Sequence, residues 1–288
     1  MRSVIHPDQA DSGKIIPRRM DFEFSDSIPR YWFDGDPFKT LLLSALSCTF
    51  PEGERFFIQS VRYYQERITD PELLARVRGF IGQEAHHGKE HDGFNALMAR
   101  KGLPMAKIEN FVKGALAYQK KILSPERQLA KTCALEHFTA MLAETMLKHP
   151  ELLDGVDERL KPLWLWHAVE ESEHKAVAYD VYQQQVGDYG IRIREMMITT
   201  VLFSFFTGLH TAQLLKAAGE SRNVMAYLRG VDFLWGRKGV LRRTLPMYFA
   251  YYRRDFHPDD YDSRELRRQG MAMLAKMLVN APELKLVA

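Results

Sequence analysis

Two short stretches hold the residues best suited to chemistry: Glu84-Ala85-His86-His87 and Glu171-Ser172-Glu173-His174. Each is a Glu-x-x-His. Three residues along an α-helix turn through about 300°, so the Glu and His of each motif share one face. A lone glutamate lies upstream of each in an apolar stretch: Glu54 in FPEGERFFIQSV and Glu136 in TCALEHFTAML. A carboxylate among apolar helix residues is costly unless it is paired or binds a metal. Glu52 is set aside, because in a first helical turn it suits the helix dipole. Four carboxylates and two imidazoles can neutralise two metal cations and still leave coordination positions open. Carboxylate-rich shells suit iron and manganese, whereas zinc takes fewer oxygens in a tetrahedral shell. The implied cofactor is two iron ions, with manganese as the alternative and zinc behind both. One Glu-x-x-His alone would be an ordinary feature of a solvated helix; the doubling carries the metal reading.

Two further histidines share these stripes. His167 lies four residues before Glu171, and His91 four residues after His87. Each is a candidate seventh ligand, a donor behind a ligand, or a proton carrier. The candidate metal set is therefore Glu54, Glu84, His87, Glu136, Glu171 and His174, with His167 and His91 added. Glu170 competes with Glu171, being four residues before His174, but only Glu171 repeats the Glu84/His87 spacing. Glu170, Glu173 and Lys175 are read as facing outward, and His86 and His137 as turned from the metals.

The elements that position these residues read as helices throughout. The order Glu, Glu-x-x-His, twice over, is the ligand order of a ferritin-like four-helix bundle. The predicted fold is all-α, with that bundle over about residues 51–185 and additional C-terminal helices over 190–281. Residues 1–35, rich in Pro, Asp, Arg and Ser, are expected to form an irregular arm that wraps the bundle and is disordered at its start. Residues 36–288 then form a single all-helical domain. Asp36-Pro37 is a cap and first helical residue for a short helix over Phe38–Phe50. Further helices are predicted over Pro51–Ile68, from Asp70-Pro71 to Lys101 with a stop at Gly102, over Pro104–Leu123, from Ser124-Pro125 to Lys148, and over Asp157–Gln185. A last amphipathic helix is predicted over Ser263–Val279.

Met196–Leu215 has no Asp, Glu, Lys or Arg, which approaches the length of a membrane span. Its Thr, Ser, Gly, Gln and His residues dilute it, so a buried or homodimer-interface helix is expected, with peripheral membrane contact through 196–215 as the alternative. Basic clusters follow at Arg237-Lys238, Arg242-Arg243 and Arg253-Arg254, read as solvated faces that could also meet anionic lipid or an acidic substrate.

Composition sets the outer bounds. At 288 residues the chain can bury a sizeable core, and a net charge of +3 gives no basis for nucleic-acid binding. Cys48 and Cys133 are too few for a disulfide framework and read as small core residues. The N-terminus lacks the apolar core of a secretory signal. A cytoplasmic protein is expected, with membrane association as the alternative.

FPEGERFF, QEAHHGKEH, LEHFTAML and HAVEESEHK together resemble the bacterial family of predicted metal-dependent hydrolases. PRRMDFEFSDSIPRYWFDGDPF and YYRRDFHPDD resemble it too, so the likeness runs over most of residues 17–262. The resemblance implies hydrolysis. His-x-x-x-Glu-x-x-His at 167–174 is similar to the pattern of arylamine N-oxygenases, di-iron enzymes of ferritin-like fold. That likeness implies His167 as an additional ligand.

Three functions follow. The leading expectation is an O2-dependent di-iron oxidase or oxygenase, an oxidoreductase that takes an apolar small molecule and an electron donor; Phe56, Phe57, Phe138, Trp164 and Trp166 would surround its centre. The alternative is a metal-dependent hydrolase using metal-bound hydroxide, since no Ser-His-Asp or Cys-His arrangement is evident. Iron storage is the third.

Overall fold

The structure, a computed structural model, describes residues 14–280. The expected disorder at the start of the arm lies outside them. Within them the chain is all-helical, and the only strand-like pairing is an isolated bridge between Phe33 and Val156.

Local chemistry sets most helix boundaries. Asp36 Oδ1 accepts from Lys39 N at 3.0 Å and opens α1 (Pro37–Ser47). The next helix, α2 (Phe50–Arg62), stops short of the predicted Ile68 and leaves through a 3-10 turn at Gln65–Arg67. Asp70 caps α3 (Pro71–Arg100), and Gly102 at φ +84° follows its end. Then come α4 (Met105–Ile122) and α5 (Pro125–Lys148). Asp188 and Asn223 cap α8 (Tyr189–Ala217) and α9 (Val224–Trp235). The chain continues with α10 (Val240–Ala250) and α11 (Arg264–Asn280).

The helix predicted over Asp157–Gln185 is two helices: α6 (Lys161–His174) and α7 (Val177–Gln185). The break falls directly after His174. It lets Lys175 turn inward, where Nζ meets Glu144 Oε1 at 2.6 Å, the Tyr261 carbonyl at 2.6 Å and Ser263 Oγ at 2.9 Å. The expectation that Lys175 faces outward is thereby corrected, because a buried carboxylate and the segment before α11 claim its charge.

Helices α2, α3, α5 and the α6–α7 pair pack on one another: α2 on α3 and α5, and α6 and α7 on both α3 and α5. Along α3 and α5 one order repeats, and α6–α7 runs through it in reverse. One apolar block holds Phe80, Leu129 and Val177, and a second holds Phe94, Leu147 and Leu163. Glu84, Glu136 and Glu171 fall between them. Each buried side chain of this kind contributes about 1.5–3 kcal/mol, and these two blocks hold the polar layer in place.

Residues 27–36 reach Gly155, Asp157 and Arg159, and residues 15–26 run along α3. Gly79 is required there, because a Cβ would overlap the Ile15 carbonyl and side chain. The described part of this segment has no helix before α1.

Helix α8 is not buried along its length. Met196 and Thr199 are buried near one end and His210, Thr211, Leu214 and Leu215 near the other. Between them Val201 is 68% and Phe205 61% exposed. Only 28% of its most apolar window is buried, so within this chain it is not a core helix, although it is long and apolar enough to cross a membrane.

Candidate metal centre

The structure brings the eight candidate residues into one buried layer. Glu54 comes from α2, Glu84, His87 and His91 from α3, Glu136 from α5, and His167, Glu171 and His174 from α6. None is more than 6% exposed. Their facing atoms form two groups, Glu54 with His87 and His167, and Glu84 with Glu171 and His174, each within 4.8 Å. Glu136 Oε2 lies 3.5 Å from His174 Nε2, beside the second group.

Glu84 and Glu171 straddle the two groups. Glu84 Oε1 is 3.0 Å from His174 Nε2 and 3.8 Å from His87 Nδ1. Glu171 Oε1 is 3.4 Å from His87 Nδ1, while its Oε2 is 3.6 Å from His174 Nε2. Gly88 makes room for Glu54, whose Oε2 would stand 3.0 Å from any Cβ there.

Buried carboxylates normally find donors, but here they do not. Both oxygens of Glu54, Glu84 and Glu136, Oε2 of Glu171, Nδ1 of His87 and Nε2 of His174 are buried with no hydrogen-bond partner among the described residues. All belong to the ligand set read from the sequence. Such a cluster is costly as it stands, and cations at its centre would satisfy it. Burial drives Glu54 and Glu136 well above the ordinary carboxylate range, with the nearby carboxylates adding to the shift. Burial opposes charge on Glu171 as well, yet His174 and His87 hold it well below that range. Burial likewise opposes a proton on His87, but Glu170 and Glu171 raise it to about 10.

Each Glu-x-x-His histidine is oriented from the opposite motif. His87 Nε2 donates to Glu170 Oε2 at 3.1 Å, which leaves Nδ1 as the nitrogen turned toward Glu84 and Glu171. His174 Nδ1 donates to Gln83 Oε1 at 2.8 Å, which leaves Nε2 bare. Glu170 and Gln83 each stand one residue before the glutamate of a motif. Both chains of contacts end on Arg18 of the arm, which donates to Glu170 at 3.1 Å and to both oxygens of Glu173 at 2.7 Å; Gln83 Nε2 donates to Glu173 at 2.8 Å. Glu170 is therefore fully buried and Glu173 nearly so. Neither faces outward as expected, because Arg18 supplies the countercharge inside.

His91 and His167 belong to a separate chain. Asn95 Nδ2 donates to Glu109 Oε1 at 3.0 Å and to the Ser47 carbonyl at 3.2 Å, so its Oδ1 accepts from Ser47 Oγ at 2.7 Å. With its one proton used, Ser47 Oγ accepts from His91 Nδ1 at 2.8 Å. A neutral His91 then accepts at Nε2 from His167 Nδ1, 2.7 Å away. Burial, followed by the neighbouring imidazoles, keeps both rings neutral, His167 at about 4 and His91 well below its usual value. His167 Nε2 thus carries a bare lone pair 3.0 Å from Glu171 Oε1. Two lone pairs at that distance repel unless they share a cation. His91 spends both nitrogens on hydrogen bonds and has none left for a metal.

The aromatic surround differs in part from the one expected. Trp166 stands edge-on to His87, Trp164 to His91 and Phe80 to His174, and Phe50 lies against His91 and His167. His137 turns away, its Nε2 donating to the Met247 carbonyl at 3.0 Å. Arg18, Gln83, Ser47 and Asn95 were not anticipated as part of the site. The polar residue just before each motif glutamate was the one signal that could have found Gln83 and Glu170.

Fold and site together define an all-helical protein with candidate metal-binding groups buried between its helices. The chain belongs to the family of predicted metal-dependent hydrolases, whose model matches residues 16–262. No curated protein and no solved structure matches it.

Proposed function

We propose that this chain is a hydrolase working through two metal ions held by Glu54, Glu84, His87, Glu136, Glu171, His174 and His167, in a helix arrangement of the ferritin-like class. The observation that carries the reading is the set of buried, partnerless carboxylate oxygens and imidazole nitrogens converging on one layer. Family membership favours hydrolysis over oxidation. When bound, such ions lower the pKa of a water and polarise a carbonyl or phosphoryl oxygen. The chain's own residues do the rest. Glu84 and Glu171 reach both groups, Gln83 and Glu170 fix the imidazole faces, and the apolar blocks keep bulk water out. His91 holds a proton on Nδ1 and stands behind His167 as its acceptor rather than in contact with metal.

Oxidation by O2, with iron and an electron donor, is the second reading. What favours it is burial: a site this enclosed admits a small diffusible reactant more readily than a bulky ester.

Metal analysis of protein purified without air tests the assignment first. About two ions per chain are expected, and loss of metal in Glu84→Ala and in Glu171→Ala. Metal content that survives both changes would sink the ligand set. Ester and phosphoester turnover with redox-inert ions under nitrogen is the expected outcome, whereas turnover needing reductant and O2 would establish the second reading instead.

A further inference from the structure

The geometry points to a peripheral membrane-docking layer built from α8, α9 and α10, its partner being the anionic phospholipid surface of a bilayer. This inference is independent of the metal reading.

Helices α8 and α9 both pack on α1, and α10 packs on α5 and α9. Tyr248 of α10 hydrogen-bonds Thr200 of α8 at 3.1 Å, which joins the three into one outer layer. The face that α8 and α9 leave uncovered is apolar. On α8 it presents Met197, Val201, Phe205 and Leu209, and on α9 Val224, Met225, Leu228, Val231 and Trp235, every one of them exposed. Both sets recur at spacings that keep them on one side of a helix. Single exposed apolar residues are ordinary, but a run of this extent marks an interaction surface.

Charge selects the occupant. From Met196 to Arg254 the chain has nine Lys and Arg against two Asp and Glu, while the whole chain has 40 against 37, so the remainder is net acidic. Arg222 precedes α9, Arg237 and Lys238 follow it, and Arg242 lies in the first turn of α10; all four are exposed. None of the four takes part in a recorded ion pair among the described residues. A second copy on a two-fold axis would bring these cations against one another. Anionic headgroups neutralise them while the acyl boundary takes the apolar face. Trp235, 51% exposed, has the amphipathic character of an aromatic at that boundary.

Vesicle flotation of the full chain tests this, with phosphatidylcholine alone and with phosphatidylcholine mixed with phosphatidylglycerol. The mixed vesicles should carry the protein up the gradient, and added salt should release it. A lysine or arginine near such a surface contributes about fivefold in partitioning. The combined variant Arg222→Glu, Arg237→Glu, Lys238→Glu, Arg242→Glu should therefore bind at least about tenfold more weakly, with an unchanged helical spectrum. The other three tryptophans, Trp32, Trp164 and Trp166, are buried, so a blue shift of emission on mixed vesicles reports Trp235 and should vanish in Trp235→Phe. Failure to float with mixed vesicles would overturn the proposal. So would a stable dimer in solution that already shields Trp235 and is broken by Val201→Asp or Val231→Asp.

Discussion

At the scale of single residues, the centre depends on side chains that never face it. Ser47 sets the proton of His91, and through it the bare nitrogen of His167. Ser47→Ala should weaken metal retention by about 10–100-fold, measured by competition with a chromophoric chelator, and Ser47→Thr should restore it. Equal retention in all three proteins would show that the hydrogen-bond chain does not position His167. The charged layer itself was legible in the sequence, because Glu54 and Glu136 break apolar stretches and the two motifs repeat a three-residue spacing. The orienting residues were not. Ser47 and Asn95 look like ordinary helix polars until folding sets α1 against α3, and Arg18 lies in a segment with no period to read. Glu170 was visible only as a rival to Glu171, and its actual role required knowing that His87 faces it across the helix interface.

At the scale of elements, the arm and the α6–α7 break do the holding. Arg18 answers two buried carboxylates, so Arg18→Ala leaves Glu170 and Glu173 without their countercharge and should cost roughly 3–5 kcal/mol. Arg18→Lys should cost less, since an ammonium keeps the charge but not the paired hydrogen bonds. Denaturant unfolding of the metal-free proteins would measure both, and an Arg18→Ala midpoint equal to the parent's would refute this role. Helix starts were largely readable, because Asp36, Asp70 and the prolines that follow them act through local chemistry. The break after His174 was not, since its cause is Lys175 reaching Glu144 and Ser263 on elements far off in sequence. Composition likewise left α8 between burial, a dimer face and membrane contact, because an apolar run does not reveal whether the fold provides anything to cover it.

At the scale of the whole molecule, the buried layer ties stability to pH. In the metal-free fold burial raises Glu54 and Glu136, so each keeps its proton past the pH at which the unfolded chain gives it up. His87, near 10, and His174 do the same against an unfolded value of about 6.5. Above about pH 7, His91 and His167 are neutral in both states and drop out of the balance. A raised folded pKa gives stability that is lost as pH climbs toward it, so His87 should make the metal-free protein weaken between about pH 7 and 9, by roughly 1.4 kcal/mol per pH unit. Bound ions replace those protons, and the loaded protein should lack the slope. Calorimetry with and without chelator would show the difference, and a flat metal-free profile would contradict these proton assignments.

The same layer is fastened from two distant parts of the chain. Arg18 closes it on one side, early in the sequence, and Ser263 anchors the residue after His174 from the other, late in it. During synthesis the ribosome therefore delivers every proposed ligand before it delivers Ser263. An ion arriving on the nascent chain would meet glutamates and histidines already present in a cage not yet fastened, and secure loading belongs to the finished polypeptide.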